Sequence, residues 1–264
     1  MKKIMFVSLL IATLAFTALQ AEEIAPVAQS ENDGLLYSTL WMQTAAEYRA
    51  CAYQAYNYAT MLLKEDMSKK HDKPRAIIVD VDETVIDNSV YEAWQIKDGI
   101  RYPEKFDEWI NSAEGLGIPG AHEFLNFAAD NGYTVFYVSN RKLRHLEGTR
   151  KNLEKLGYPF ADLEHMLFKD KDSSKQPRRD IVMEKYELVL LMGDNLIDFS
   201  DKFAGTTVEN RFAAVDKMRE EFGKKFVILP NAMHGKWMKV LLNHRRDLDV
   251  NETRKILYDH LRMK

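Results

Sequence analysis

Four short segments of the chain concentrate residues able to handle a phosphoryl group. IVDVDETVIDNS carries Asp80 and Asp82; YVSNR carries Ser139, Asn140 and Arg141; KDKDSSK carries Lys169, Lys171 and Lys175; GDNLIDF carries Asp194 and Asp198. Brought together, Asp80, Asp194 and Asp198 would repel one another unless a divalent cation lay among them, and magnesium suits such hard oxygen donors. The ion would tie a phosphoryl oxygen to the protein and cancel charge between nucleophile and substrate. Ser139 and a lysine would hold the remaining phosphoryl oxygens, and phosphoryl transfer asks mainly for this positioning and neutralisation. If the backbone turns at the strand end so that Asp80 and Asp82 enter one crevice, one of them can attack phosphorus while the other gives a proton to the leaving oxygen. A neighbouring carboxylate raises the proton affinity of the second acid, which predicts work at mildly acidic pH.

The elements that must hold these residues are legible as alternating apolar runs. AIIVD, YTVFYVS, HMLFK, LVLLMGD and KFVILPN read as strands. Helix-like stretches separate them near Ala121 to Asp130, Leu143 to Leu156, Arg178 to Lys185 and Asn210 to Phe222. Runs apolar at nearly every position suit strands buried on both faces, so the pattern predicts a doubly wound parallel sheet with its site at the carboxyl ends of the strands. Ahead of the first strand, the segment from Leu35 to Met67 lacks Gly and Pro and reads as one long helix. Its stripe of Tyr48, Ala52, Tyr56 and Ala59 faces a core. An aromatic, helix-like insertion lies between Asn88 and Gly117, with Tyr91, Trp94, Tyr102, Phe106 and Trp109. Asp87 and Asn88 read as a turn into it, Arg141 and Arg144 as surface arginines opening a helix in preference to phosphate contacts, and His234 to Lys264 as two amphipathic helices.

The first 21 residues have Lys2 and Lys3, an apolar run from Ile4 to Leu19 and small Ala21, the anatomy of a secretory signal peptide. Its removal leaves 35 basic against 40 acidic residues, a balance of −5. That excludes the basic face a nucleic-acid polymer needs. The one cysteine, Cys51, can make no internal disulfide and is expected to be a small buried apolar residue; none follows the leader, so lipidation there is excluded. These features predict an exported protein, periplasmic or secreted or associated with the outer membrane, with no membrane span after leader removal. Its partners are small-molecule phosphomonoesters, and a homodimer is compatible with the composition.

DVDETVIDNS, YVSNR, the lysine of SSKQPRR and GDNLIDF together resemble the four motifs of the haloacid dehalogenase superfamily, and in detail its class C nonspecific acid phosphatases. The Tyr-rich N-terminal helix, AWQ at Ala93 to Gln95 and LPNAMHGKW extend the resemblance over nearly the whole mature chain. The resemblance implies a three-layer sandwich with a central parallel sheet, an extra N-terminal helix and a small helical cap. The divisions are a leader over 1–21 and a single domain over 22–264, with a core of about 35–87 and 118–264 and a cap of about 88–117. It implies Asp80 as the nucleophile that forms an aspartyl-phosphate and Asp82 as general acid and base. Ser139, Asn140 and Lys175 would bind phosphate, with Lys169 and Lys171 as competitors for the lysine. Asp80, Asp194, Asp198 and the backbone carbonyl of Asp82 would hold Mg2+. Tyr102 and His234, the latter where tyrosine is usual, would stack on a nucleobase and make nucleoside 5'-monophosphates substrates. The competing readings are a phosphotransferase on the same scaffold and a non-catalytic envelope protein that binds haem or a nucleotide. Dehalogenation is disfavoured because Asp82 supplies an acid that a halide does not need.

Overall fold

A computed structural model describes residues 33–245 and 247–263, so the leader expected over 1–21 lies outside the described residues. The Leu35–Met67 segment forms two helices, α1 (Asp33–Thr44) and α2 (Ala46–Asp66). The single helix expected there is broken at Ala45, whose backbone is extended at φ −79° and ψ 124°. No Gly or Pro marks the break. Packing decides it, because α1 leans on the helical insertion while α2 lies along the sheet. Tyr48, Ala52, Tyr56, Ala59 and Leu63 form the buried stripe of α2. Cys51 is exposed, contrary to the expectation of burial, because it falls one residue off that stripe.

The sheet comprises β1 (Arg75–Val79), β4 (Tyr133–Lys142), β5 (Met166–Lys169), β6 (Glu187–Gly193) and β7 (Phe226–Ile228). The order is β5-β4-β1-β6-β7 and every pairing is parallel. Along β1 the side chains alternate between two cores. Ile77 and Val79 join Tyr56, Phe124, Leu125 and Leu153 on one face; Ala76 and Ile78 join Val182, Phe199 and Phe203 on the other. Helices α2, α5 (Ala121–Asp130) and α6 (Leu146–Lys155) cover the first face, and α7 (Gln176–Lys185) and α8 (Val208–Lys217) the second. Two short helices end the chain, α9 (Lys236–Leu241) and α10 (Val250–Asp259). No helix among the described residues is long and apolar enough to cross a membrane.

Past β1 the chain makes the short strand β2 (Ile86–Asp87), then helices α3 (Ser89–Asp98) and α4 (Phe106–Ser112), and returns through β3 (Leu116–Gly117). β2 and β3 pair antiparallel, Ile86 with Gly117 and Asp87 with Leu116, and so clasp the insertion at its base. The insertion has a core of its own in Tyr91, Phe106, Trp109 and Ile110. Tyr102 stays 62% exposed, so the aromatics of the insertion divide: Phe106 and Trp109 pack inward and Tyr102 does not.

Candidate active site

The sheet changes direction beside β1, and the carboxyl ends of β1, β4 and β6 open there into one crevice. Asp80 follows β1 directly and its N–H donates to the Met192 carbonyl of β6 at 3.0 Å. Asp194 follows β6. Ser139 sits in β4 where the β4–β5 register shifts between Ser139 and Lys142, an irregularity that re-aims the strand end. Lys175 precedes α7, whose first turn contains Pro177.

Carboxylate oxygens of Asp80, Asp194 and Asp198 all lie within 4.8 Å of one another. Lys175 Nζ is 2.5 Å from Asp80 Oδ1 and 2.6 Å from Asp198 Oδ1. Lys169 and Lys171, the two competitors, are half-buried and exposed and make no ion pair with these aspartates. Burial, reinforced by the charges of Asp198, Asp194 and Asp82, pushes Asp80 up against the pull of Lys175. Burial likewise lifts Asp194 to about 7, with Asp198 and Glu83 adding to it. Burial alone would lower Lys175, but Asp198 and Asp80 outweigh it and hold the ammonium charged. One lysine among three close carboxylates leaves net negative charge in a buried place, and the donors are all hard oxygens. The set fits a divalent cation of the magnesium or calcium kind.

Asp82 faces a different surrounding. Its Oδ1 accepts from Arg141 Nε at 2.9 Å and Asn88 Nδ2 at 2.8 Å, and Ser139 Oγ approaches Oδ2 at 3.4 Å. Burial would raise this carboxyl, but the charge and hydrogen bonds of Arg141 and Asn88 bring it below the usual aspartate value. The expected rise in proton affinity is therefore reversed. Arg141 is the reason: it is buried, not the surface arginine its place before a helix suggested.

Further side chains hold the site from behind. Arg178 donates to the Ser139 carbonyl at 2.5 Å and to Asn140 Oδ1 at 2.7 Å. Arg179, buried, donates to the carbonyls of Ile197 and Asp198 at 3.1 and 2.9 Å and so fixes the loop that carries the aspartates. Asn231 Nδ2 donates to Asp194 Oδ2 at 2.8 Å, and Asn195 N–H to Asp198 Oδ2 at 2.9 Å. Gly193 is required where it stands: a Cβ there would lie 2.5 Å from Asp198 Cβ and also strike its Oδ2. Glu83 holds a left-handed backbone at φ 53°, and the Tyr56 hydroxyl donates to the neighbouring Thr84 carbonyl at 2.5 Å. Tyr56 of α2 thus buttresses the loop after Asp80.

A cavity of about 450 Å³ rises from Asp80 to the insertion, and Asn140, Tyr102 and His234 are among its walls. His234 Nε2 lies 2.9 Å from Glu83 Oε2 and 3.7 Å from Glu92 Oε1. Burial would lower the imidazole, but these acids raise it to about 10. With 42% of its side chain exposed, the shift is damped by solvent, and the ring is cationic at neutral pH. The structure thus gathers Asp80, Asp82, Asn140, Lys175, Asp194 and Asp198 in one crevice, with Ser139 wholly buried beside Asp82 and with Tyr102 and His234 on the cavity wall. Arg141, Asn88, Arg178, Arg179 and Glu83 escaped the sequence reading. The one signal for them was their adjacency to the motifs.

Residues 3–237 match the family described as HAD superfamily, subfamily IIIB (Acid phosphatase). A class C acid phosphatase from Bacillus anthracis has a structure 40% identical to this chain with a TM-score of 0.84, covering 89% of this chain and 99% of that one. Its form with tungstate bound matches at a TM-score of 0.85 and 40% identity, over 88% and 98%. The stem 31 kDa glycoprotein of Glycine max is 26% identical over 133 residues, 46% of this chain. The chain spans about half, 50%, of the length of that curated relative.

Proposed function

Because the chain belongs to the acid phosphatases of HAD subfamily IIIB, and so to the phosphomonoester hydrolases, we propose that it cleaves phosphomonoesters through an aspartyl-phosphate on Asp80. The observation that carries this reading is Lys175 bridging Asp80 and Asp198, with Asp194 completing a carboxylate cluster at the ends of β1 and β6. Asp80 attacks phosphorus as the bond to the leaving oxygen breaks, and Asp82, in its protonated form, gives that oxygen a proton. Asp82 then takes a proton from the water that opens the aspartyl-phosphate. Ser139, Asn140 and Lys175 hold the non-bridging oxygens. Asp80, Asp194, Asp198 and the Asp82 carbonyl would hold Mg2+, which when bound neutralises charge on the phosphoryl group. A relative carries tungstate, a phosphate-like oxyanion, which supports an oxyanion in front of Lys175 here.

Nucleoside 5'-monophosphates are the proposed substrates. Exposed Tyr102 and cationic His234 on the cavity wall support stacking of a base between them, the imidazolium adding a cation–π attraction. We also infer export through a leader over 1–21, with 22–264 as a single phosphatase domain whose cap spans about 88–117. The test is turnover of nucleoside monophosphates and aryl phosphates by the leaderless protein with magnesium or chelator, beside Asp80→Asn. Asp80→Asn is expected to lose roughly a thousandfold or more in kcat. Chelator-resistant turnover, or an active Asp80→Asn protein, contradicts the mechanism.

A further inference from the structure

The two oxygens of Asp82 are not equivalent. Oδ1 receives Asn88 Nδ2 at 2.8 Å and both Nε and an η nitrogen of Arg141 at 2.9 Å. Oδ2 has, among the described residues, only the long 3.4 Å approach of Ser139 Oγ. The donors on Oδ1 are themselves fixed. Asn88 Oδ1 accepts from Trp109 Nε1 at 2.8 Å and from Arg141 at 3.1 Å. An indole N–H and a guanidinium can only donate, so the amide oxygen of Asn88 must face them and its NH2 must face Asp82. Arg141 is held in turn by Thr149 Oγ1 of α6 at 2.8 Å, while its backbone N–H donates to Ser139 Oγ at 3.0 Å. Trp109 belongs to α4, inside the core of the insertion. A continuous hydrogen-bonded chain therefore runs from the packed centre of the cap to one oxygen of Asp82.

We propose that Arg141, Asn88 and Trp109 are positioning residues that hold Oδ1 of Asp82 and leave Oδ2 as the oxygen that exchanges a proton with the substrate. This rests on the reading of Asp82 as general acid. On that reading the packing of the cap sets the direction in which Asp82 delivers its proton. Losing the Trp109 N–H leaves Asn88 Oδ1 held by Arg141 alone and loosens the amide whose NH2 restrains Asp82 Oδ1. Asp82 is then aimed less well, and protonation of the leaving oxygen slows although the phosphoryl site is intact. Substrates differ in how much they need that proton. An alkoxide leaves only when protonated, whereas nitrophenolate leaves without help.

The experiment compares kcat/KM for p-nitrophenyl phosphate and for glycerol 2-phosphate, with magnesium, in the unaltered enzyme, Trp109→Phe, Asn88→Ala and Asp82→Asn. Trp109→Phe keeps an aromatic ring in the cap core while removing the donor, together with part of the ring that packs against Trp94. It is expected to lose roughly tenfold on the alkyl ester and under about threefold on the nitrophenyl ester, with KM changed by less than about twofold. Asn88→Ala is expected to share that bias, and Asp82→Asn to show it at roughly a hundredfold or more on the alkyl ester. If Asp82→Asn shows the bias and both network variants lose the two substrates equally, the positioning role is overturned while the general acid stands. If Asp82→Asn shows no bias, the general-acid reading fails and the positioning role falls with it.

Discussion

The ammonium of Lys175 lies 2.5 Å from Asp80 Oδ1, with only 3% and 9% of the two side chains exposed. Its second contact, to Asp198, makes it the cation that allows three carboxylates to share a buried crevice. Lys175→Met leaves those charges uncompensated, and loss of one partner from a buried ion pair costs about 3–5 kcal/mol. The metal-free variant should therefore melt well below the parent. Magnesium should restore much of that stability but not turnover, which should stay down by about a hundredfold or more for want of a donor to the phosphoryl oxygens. Thermal melts with chelator and with magnesium, beside kcat, check both halves.

Stability should depend on pH in a direction set by the raised carboxyls. Burial lifts Asp194 and Glu92 each to about 7, against 3.8 and 4.5 ordinarily. A carboxyl raised in the folded state contributes stability fully below its unfolded value and loses it as pH rises through the folded one. His234, raised to about 10, acts in the same direction at higher pH, and Asp82, held low by Arg141, acts oppositely only below its usual 3.8. The metal-free protein should thus lose thermal stability between about pH 5 and about pH 7.5, while the gain from magnesium grows over that interval. A chelator-treated melting temperature that rises with pH across this window contradicts the assignment.

Gly193→Ala should damage the site without removing a charged group. The new Cβ would stand 2.5 Å from that of Asp198 and must push the side chain aside. Overpacking of this kind costs about 1–3 kcal/mol, and a displacement of about 1 Å at a catalytic group costs up to about a hundredfold in rate. The expected result is a fall in kcat of at least about tenfold with a weaker apparent affinity for magnesium, measured by titrating metal into chelated enzyme.

Tyr102→Ala should separate base recognition from chemistry. Tyr102 is 62% exposed, and its ring meets Phe106 edge-on at 5.1 Å. Its removal costs little stability. KM for a nucleoside monophosphate should rise by roughly five- to tenfold, in line with about 1–3 kcal/mol for stacking on a base. Turnover of glycerol 2-phosphate should hold steady. An equal change on both substrates removes Tyr102 from the role.

The convergence of Asp80, Ser139 and Asp194 was legible because each stands at the end of an apolar run, and strand ends in a parallel sheet converge by topology, whereas Lys175 and Asp198 reach the same place from neighbouring loops. Arg141 and Asn88 were not legible, because their roles depend on where the cap returns. Local sequence makes Arg141 a helix-start arginine and Asn88 a turn residue; only Trp109, 21 positions beyond Asn88, brings the partner that buries them. The break at Ala45 was illegible for a similar reason, since α1 is turned by contact with α3 and not by a breaker of its own. Cys51 was legible in principle. The stripe of Tyr48, Ala52, Tyr56 and Ala59 already puts position 51 on a neighbouring face of the helix.

The pairing of Ile86 with Gly117 brings the two ends of the insertion within one strand spacing of each other. Whatever lies between them enters and leaves through the same doorway, so its length adds only slowly to the entropy of closing the loop. The sheet does not register how much chain is hung there. This makes the insertion a partly independent module: apart from Asn88 and Trp109, whose bonds reach Asp82, its residues can diverge or lengthen while the scaffold that aims Asp80 stays unchanged. Selectivity for the leaving group can then drift under one selection and the phosphoryl chemistry be conserved under another.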